Sequence, residues 1–185
     1  MAHDTSVLGL AGSLREGSYN RAALRAAQML APDGVRVDIF DIKDLPPFND
    51  DLVARPPEAV QDLKARVRAA DAVLFVTPEY NYSVPGVLKN AIDWGSRPYG
   101  DSAWAGKAAA VMGASTGAIG TARAQYHLRQ MFVFLDLHAV NKPEVLIGHA
   151  AQKFDAQGNL TDEKTRALIR LLLENLAAWA RRLKT

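Results

Sequence analysis

At 185 residues, with 49 % apolar and 23 % charged side chains, the chain suits one domain with a sizeable core and has the balance of an ordinary globular protein. The formal net charge is only +2 and basic residues are spread along the chain, which excludes the basic arm or stripe that nucleic-acid binding requires. There is no cysteine, so disulfides, thiolate catalysis, iron–sulfur clusters and thiolate zinc sites are excluded, and any redox chemistry falls to a bound cofactor.

The opening MAHDTSVLGLAGS has no basic n-region, and its apolar run is too short for a signal peptide. No stretch approaches the roughly 20 apolar residues that span a bilayer. The expectation is a cytoplasmic protein forming one domain over residues 1–185, with no membrane partner.

Strand and helix patterns alternate along the chain. Ser6 to Ala11 (SVLGLA) reads as a buried parallel strand stopping at Gly12. A polar Gly/Ser loop follows, then a helix from about Asn20 to Leu30 closed by Pro32-Asp33-Gly34. Val35 to Phe40 is a second strand, Asp44 to Pro57 a Pro-rich loop, and Glu58 to Ala70 a helix leading into the strand Ala72 to Thr77. After the loop Pro78 to Ser83, a helix is expected with Ser83 as N-cap and Pro85 in its first turn. Val84, Val87, Leu88, Ala91 and Ile92 fall on one of its faces. Lys107 to Gly113 is a fourth strand, Gly120 to Leu135 a long helix, and a fifth strand within His138 to Ile147 is interrupted by Pro143. The last helix, Asp162 to Arg182, is expected to bury Leu168, Leu171, Leu172, Leu176 and Trp179.

Five strands alternating with five helices imply a parallel sheet covered on both faces, either flavodoxin-like or a truncated dinucleotide fold. Ligands of both bind beyond the carboxyl ends of the strands, so the loops after strands one, three and four carry the function.

The first loop is Gly12-Ser13-Leu14-Arg15-Glu16-Gly17-Ser18-Tyr19-Asn20. Its glycines permit a tight turn, Ser13, Ser18 and Asn20 bring side-chain donors, and Arg15 offers a fork of N–H groups suited to phosphate oxygens. The helix that follows adds free amides and the positive end of its dipole. The competing reading is an ordinary turn with Ser18 as N-cap. Leu14 stands where G-x-G-x-x-G needs its second glycine, so a monophosphate fits better than a pyrophosphate. Asp38 and Asp41 read as solvent-facing positions at a strand end. The second loop, Thr77-Pro78-Glu79-Tyr80-Asn81-Tyr82-Ser83, places two tyrosines and an asparagine at the end of a central strand. A flavin ring needs polar contacts at its pyrimidine edge and an aromatic surface beside it. Tyr80 and Asn81 supply both types, while Tyr82 serves equally well as a packing residue. The third, Gly113-Ala114-Ser115-Thr116-Gly117-Ala118-Ile119-Gly120, lets backbone amides approach a flat ligand.

The segments GSLREGSYN, TPEYNYSVPGVLKNAIDWGSRP and GASTGAIG closely resemble the NADPH-dependent FMN reductases of flavodoxin-like fold, the chromate/quinone reductase branch in particular. The resemblance spans nearly the whole chain. It implies a three-layer α/β sandwich with sheet order 2-1-3-4-5 and a homodimer or homotetramer. It also implies FMN phosphate contacts at Ser13, Arg15, Ser18 and Asn20, and ring contacts from Pro78, Glu79, Tyr80, Asn81, Ser115 and Gly117. NADPH or NADH would be the donor, since no 2′-phosphate pocket is legible, and small molecules such as quinones, chromate, azo compounds or free flavin the acceptors.

No side-chain constellation for acid–base or nucleophilic catalysis stands out, and His3, His127, His138 and His149 lack metal-ligand spacing. That is the expectation when FMN carries the chemistry, so no catalytic residue is assigned. Trp94, Arg97 and Trp104 read either as lining an access mouth or as buried at a subunit seam. Arg123 and Tyr126, i and i+3 on one helix, are read as reaching Glu144 across a subunit boundary. Two further classes are an electron carrier, against which the +2 charge argues, and an FMN-binding stress protein without turnover.

Overall fold

The computed structural model describes residues 5–184; His3 lies outside them. Strands and helices run β1 (Thr5–Ala11), α1 (Tyr19–Met29), β2 (Val35–Phe40), α2 (Glu58–Ala69), β3 (Ala72–Val76), α3 (Gly86–Gly95), β4 (Ala108–Ala114), α4 (Ala122–Leu135), β5 (His138–Ala139), β6 (Val145–Ile147) and α5 (Glu163–Leu183). The sheet order is β2-β1-β3-β4-β5 and every pairing is parallel. This is the expected flavodoxin-like α/β fold. Its fifth position is shared: β5 pairs with the start of β4 (Ala108↔His138) and β6 with its end (Met112↔Val145). Pro143 lies between the two pieces and has no N–H to give to a ladder.

Alternate side chains of the buried strands face opposite layers. Val7, Leu74, Val76 and Met112 pack against Leu24 of α1 and Ile169, Leu172 and Leu176 of α5. Leu8, Val73, Phe75 and Val111 meet Leu63 of α2, Leu88 of α3 and Leu128 and Phe132 of α4. Each such side chain stabilises the fold by about 1.5–3 kcal/mol relative to exposure. The buried face of α5 is Ile169, Leu172, Leu173, Leu176 and Ala180. Leu171, expected on that face, is 44 % exposed, and Leu168 and Trp179 sit at its margin. The stripe is turned by one residue because α5 meets the sheet through 169, 173 and 176.

The Pro-rich stretch contains two single helical turns, Ile42–Asp44 and Asp50–Leu52, capped by Asp41 and Asn49. Asp38 pairs with Arg36 and Asp41 with Arg21 in solvent-accessible ion pairs, as their strand-end positions suggested. Trp94 and Trp104 overturn both readings offered for them, since each is enclosed by this chain alone. Trp94 Nε1 donates to Pro46 O (2.8 Å) and Trp104 Nε1 to Ile92 O (2.9 Å), so their polar edges are satisfied within the core. Arg97 instead stacks on the exposed Tyr99, 4.2 Å from the ring centroid. Among the described residues, no helix is long and apolar enough to cross a membrane, and no cluster of histidines and carboxylates could hold a metal ion.

Candidate functional site

β1, β3 and β4 are neighbours in the sheet, so the loops that follow them, 12–18, 77–85 and 115–121, gather at one rim. Ser13 is only 4 % exposed, yet its hydroxyl has no hydrogen-bond partner among the described residues. No side-chain polar atom among the described residues is both fully buried and unpartnered, so the Ser13 hydroxyl keeps contact with the rim and is open to a ligand or water. Arg15 is exposed and likewise makes no ion pair among the described residues. Ser18 is the N-cap of α1: its Oγ accepts from Asn20 N (3.2 Å) and Arg21 N (3.4 Å), leaving the hydroxyl proton available to a ligand. No acidic residue occupies the first turn of α1, so the positive end of its dipole is uncompensated.

The Asn20 side chain is bonded to the end of β4. Its Nδ2 donates to Ala114 O (2.9 Å) and its Oδ1 accepts from Ala114 N (2.8 Å).

In the second loop Asn81 (φ 50°) and Tyr82 (φ 67°) are both left-handed. Tyr80 and Ser83 exchange N–H···O bonds of 3.0 and 2.9 Å around them, as in a type I′ hairpin turn. This turn displaces the expected cap: α3 begins at Gly86 with Pro85 as N-cap. Ser83 closes the turn and its Oγ lies 2.7 Å from His127 Nδ1. The Glu79 carboxylate turns inward. One oxygen accepts the backbone N–H groups of Arg123 (3.1 Å) and Ala124 (3.2 Å), the other the Arg123 guanidinium (3.0 Å). It thereby caps α4, whose own N-cap residue Thr121 makes no capping bond, its Oγ1 accepting instead from Gln125 Nε2 (3.2 Å). The Arg123 guanidinium also lies 4.0 Å from the Tyr82 ring centroid, a cation–π contact that holds the turn.

The third loop is held by Ser115 N to Ile147 O (3.0 Å), Ala150 N to Ser115 O (3.0 Å) and His149 N to Gly117 O (3.0 Å). Ser115 Oγ donates to Gly117 O (3.1 Å). A methyl group on Gly113 would lie 2.0 Å from Thr121 Oγ1 and 2.2 Å from Thr77 O, so glycine alone allows the second and third loops to close on each other here.

The sequence profile of the NADPH-dependent FMN reductases matches residues 5–152, which include all three loops. The chain belongs to that family. Over 185 residues, all of both chains, it is 56 % identical to an NAD(P)H-dependent FMN reductase of Pseudomonas aeruginosa. It is 50 % identical over 182 residues to a quinone reductase of Pseudomonas putida, covering 98 % of this chain and 97 % of that one. Among solved structures it is similar to FerB, a flavoenzyme NAD(P)H:(acceptor) oxidoreductase of Paracoccus denitrificans. That match has a TM-score of 0.88 and 42 % identity, over 96 % of this chain and 98 % of that one.

In this FMN reductase family chain, all ten residues singled out from the sequence fall on the three rim loops or the first turn of α1. They differ in what they have left to offer. Ser13 and Arg15 are free, Ser18 is half engaged as a cap, and the Asn20 amide and Glu79 carboxylate are bonded to the protein. Tyr80 and Asn81 are exposed and Pro78 is buried beneath them. The expected reach of Arg123 to Glu144 is corrected: Arg123 is bonded to Glu79 of its own chain. Tyr126 Oη does donate to Glu144 (2.7 Å), but within one chain. This bond to a carboxylate raises the tyrosine's pKa above its ordinary value of 10.0. Sequence reasoning missed the cap on α4 and the Asn20–Ala114 pairing; in a single sequence neither has a local signature.

Proposed function

We propose that this protein holds FMN across the three rim loops and uses it to pass reducing equivalents from NADPH or NADH to quinones or similar small acceptors. The observation that carries the reading is the pair Ser13 and Arg15, one hydroxyl without a protein partner yet open at the rim and one free guanidinium, beside the N-terminus of α1, whose first turn holds no acidic residue. Hydroxyl, guanidinium and helix amides are the donor set that a phosphate monoester requires. The residues present therefore fit the group. When bound, FMN supplies the redox chemistry, accepting hydride from the nicotinamide and giving up two electrons to the acceptor.

The chain's residues bind and orient. Ser13, Arg15 and the Ser18 hydroxyl hold the phosphate. The backbones of Pro78, Glu79, Ser115 and Gly117, with Asn81, serve the polar edge of the ring, and Tyr80 supplies an aromatic surface beside it. No side chain here acts as general acid or base in this reading. Two relatives named above as an FMN reductase and a quinone reductase favour quinones as acceptors. A homodimer or homotetramer is also proposed. It is supported by the apolar Val133 and Phe134, 86 % and 71 % exposed side by side on α4.

The test is reconstitution of purified protein with FMN, followed by anaerobic titration with NADPH and with NADH and then with a quinone. Bleaching of the flavin band by a nicotinamide and its return with quinone are expected. A folded protein that stays colourless after incubation with FMN refutes the reading, and slow bleaching without a separate reductase assigns it to the carrier class.

A further inference from the structure

We propose that Asn20 is a positioning residue rather than a phosphate ligand. Its side-chain amide stands in for a missing residue of β3 and joins the phosphate-side loop to the ring-side loop. The proposal rests on the reading that a flavin occupies this rim.

The sheet itself creates the vacancy that Asn20 fills. β3 pairs with β4 up to Val76↔Met112, and Thr77 N donates to Met112 O (2.9 Å). Pro78 follows, with no N–H to continue the ladder, and the chain turns away. β4 runs on to Ala114, held on its other side by β6. Ser115 N bonds to Ile147 O on that side. In a parallel ladder, successive residues direct their N–H and C=O groups to alternate sides, so those of Ala114 face the side that β3 has left. Ala114 and Asn20 are each only 3 % exposed, so both groups would be orphaned there. Asn20 answers both of them, with bonds of 2.9 and 2.8 Å. A primary amide has the same donor–acceptor pair as a peptide, and asparagine is the shortest side chain that carries it.

The connection is directional. Asn20 N is tied to Ser18 Oγ, so the cap of α1, the Asn20 amide, Ala114 and then Ser115 form a continuous bonded path. One end of that path is the loop with the free Ser13 and Arg15. The other is the loop of Ser115 and Gly117, which in the proposed reading serves the ring. Asn20 thus fixes the separation of two subsites that one ligand must bridge.

The experiment compares FMN with riboflavin, which has the ring but no phosphate, on the full-length apoprotein of the wild type, Asn20→Ala and Asn20→Asp. Wild type is expected to bind both, FMN more tightly. Asn20→Ala is expected to weaken both by a similar factor, about tenfold or more, because two buried hydrogen bonds beneath the ring-side loop are lost. A loss confined to FMN, with riboflavin binding intact, would make Asn20 a phosphate ligand and overturn the proposal, as would no loss with either.

Asn20→Asp is nearly isosteric, keeps an acceptor for Ala114 N, and places a carboxylate in the first turn of a helix where it is tolerated. It serves if the alanine variant does not fold. Only its riboflavin arm is read, because the new charge repels phosphate by itself. Weakened riboflavin binding supports the proposal and unchanged binding overturns it. Amide hydrogen exchange of the ligand-free proteins gives a readout independent of flavin. Faster exchange in Asn20→Ala is expected at Ala114 and Ser115 as well as in residues 13–18. Acceleration restricted to residues 13–18 overturns the coupling. If wild type binds neither flavin, the FMN reading fails, and the exchange data still decide the role of Asn20.

Discussion

The Glu79 carboxylate lies 3.0 Å from the Arg123 guanidinium, and its second oxygen receives the backbone N–H groups of Arg123 and Ala124. A residue of the loop after β3 is thus the N-terminal cap of a helix more than forty positions later. Replacing Glu79 with alanine leaves buried helix donors without a partner and is expected to cost about 1–3 kcal/mol. Glu79→Gln, which keeps an acceptor oxygen, should cost less. Urea midpoints of the apoproteins measure both. Equal losses, or none, would contradict the capping role.

The Arg15 side chain has no ion pair or hydrogen bond within the described residues, and the bond of its carbonyl to Ser18 N survives truncation, so removing the guanidinium breaks no bond within the protein. Arg15→Ala should leave the unfolding midpoint of the apoprotein unchanged and weaken FMN binding about ten- to a hundredfold, the loss of a hydrogen bond to a charged group. Riboflavin affinity should not move. Fluorescence titration with the two flavins checks this.

At Gly113 the space for a side chain is already taken by Thr121 Oγ1 and Thr77 O. Gly113→Ala must push the second and third loops apart, at a cost of about 1–3 kcal/mol from overpacking. A lowered Tm together with weakened binding of riboflavin is expected. A variant that melts with wild type would show that the loops part freely.

Asp162 caps α5, its carboxylate accepting Thr165 Oγ1 (2.5 Å) and Thr165 N (2.8 Å). These bonds hold its carboxyl below the ordinary value of 3.8. A depressed folded-state pKa adds stability above the unfolded value, and that contribution disappears as pH falls through the folded one. Asp162→Ala should therefore cost about 0.5–2 kcal/mol at neutral pH. The gap from wild type should narrow once pH drops below the unfolded value, in urea melts taken at a series of pH values.

Val133 and Phe134 form an apolar edge on α4 that this chain does not cover. If that edge joins copies of the chain, Phe134→Asp should lower the sedimentation coefficient by at least one step of assembly and leave the apoprotein's fold intact. Unchanged sedimentation would move the subunit contact elsewhere.

Much of the fold was legible because the buried strands are short apolar runs between Gly- and Pro-rich turns, and because helical spacing marks residues such as Leu88 and Ile92. The rim loops were legible for the same reason: a strand that ends in a polar loop before a helix announces its own function. Bonds between distant residues were not. Asn20 meets Ala114, and Glu79 meets Arg123, only once the sheet order has set β1, β3 and β4 side by side. Ser83 shows propensity losing to context, since the left-handed pair Asn81-Tyr82 claims it for a turn before it can begin a helix. Trp94 and Trp104 were misjudged because a loop-rich stretch suggests surface, whereas their indole N–H groups find carbonyls inside the core.

Both α1 and α4 start at the rim, each with the positive end of its dipole there. The protein has seated a carboxylate, Glu79, on the second and only a neutral hydroxyl, Ser18, on the first. In the proposed reading a ligand with one phosphate therefore has one place to sit, and a pyrophosphate spreading towards α4 would meet a negative charge already installed. Glu79→Gln would lower that barrier to a second phosphate.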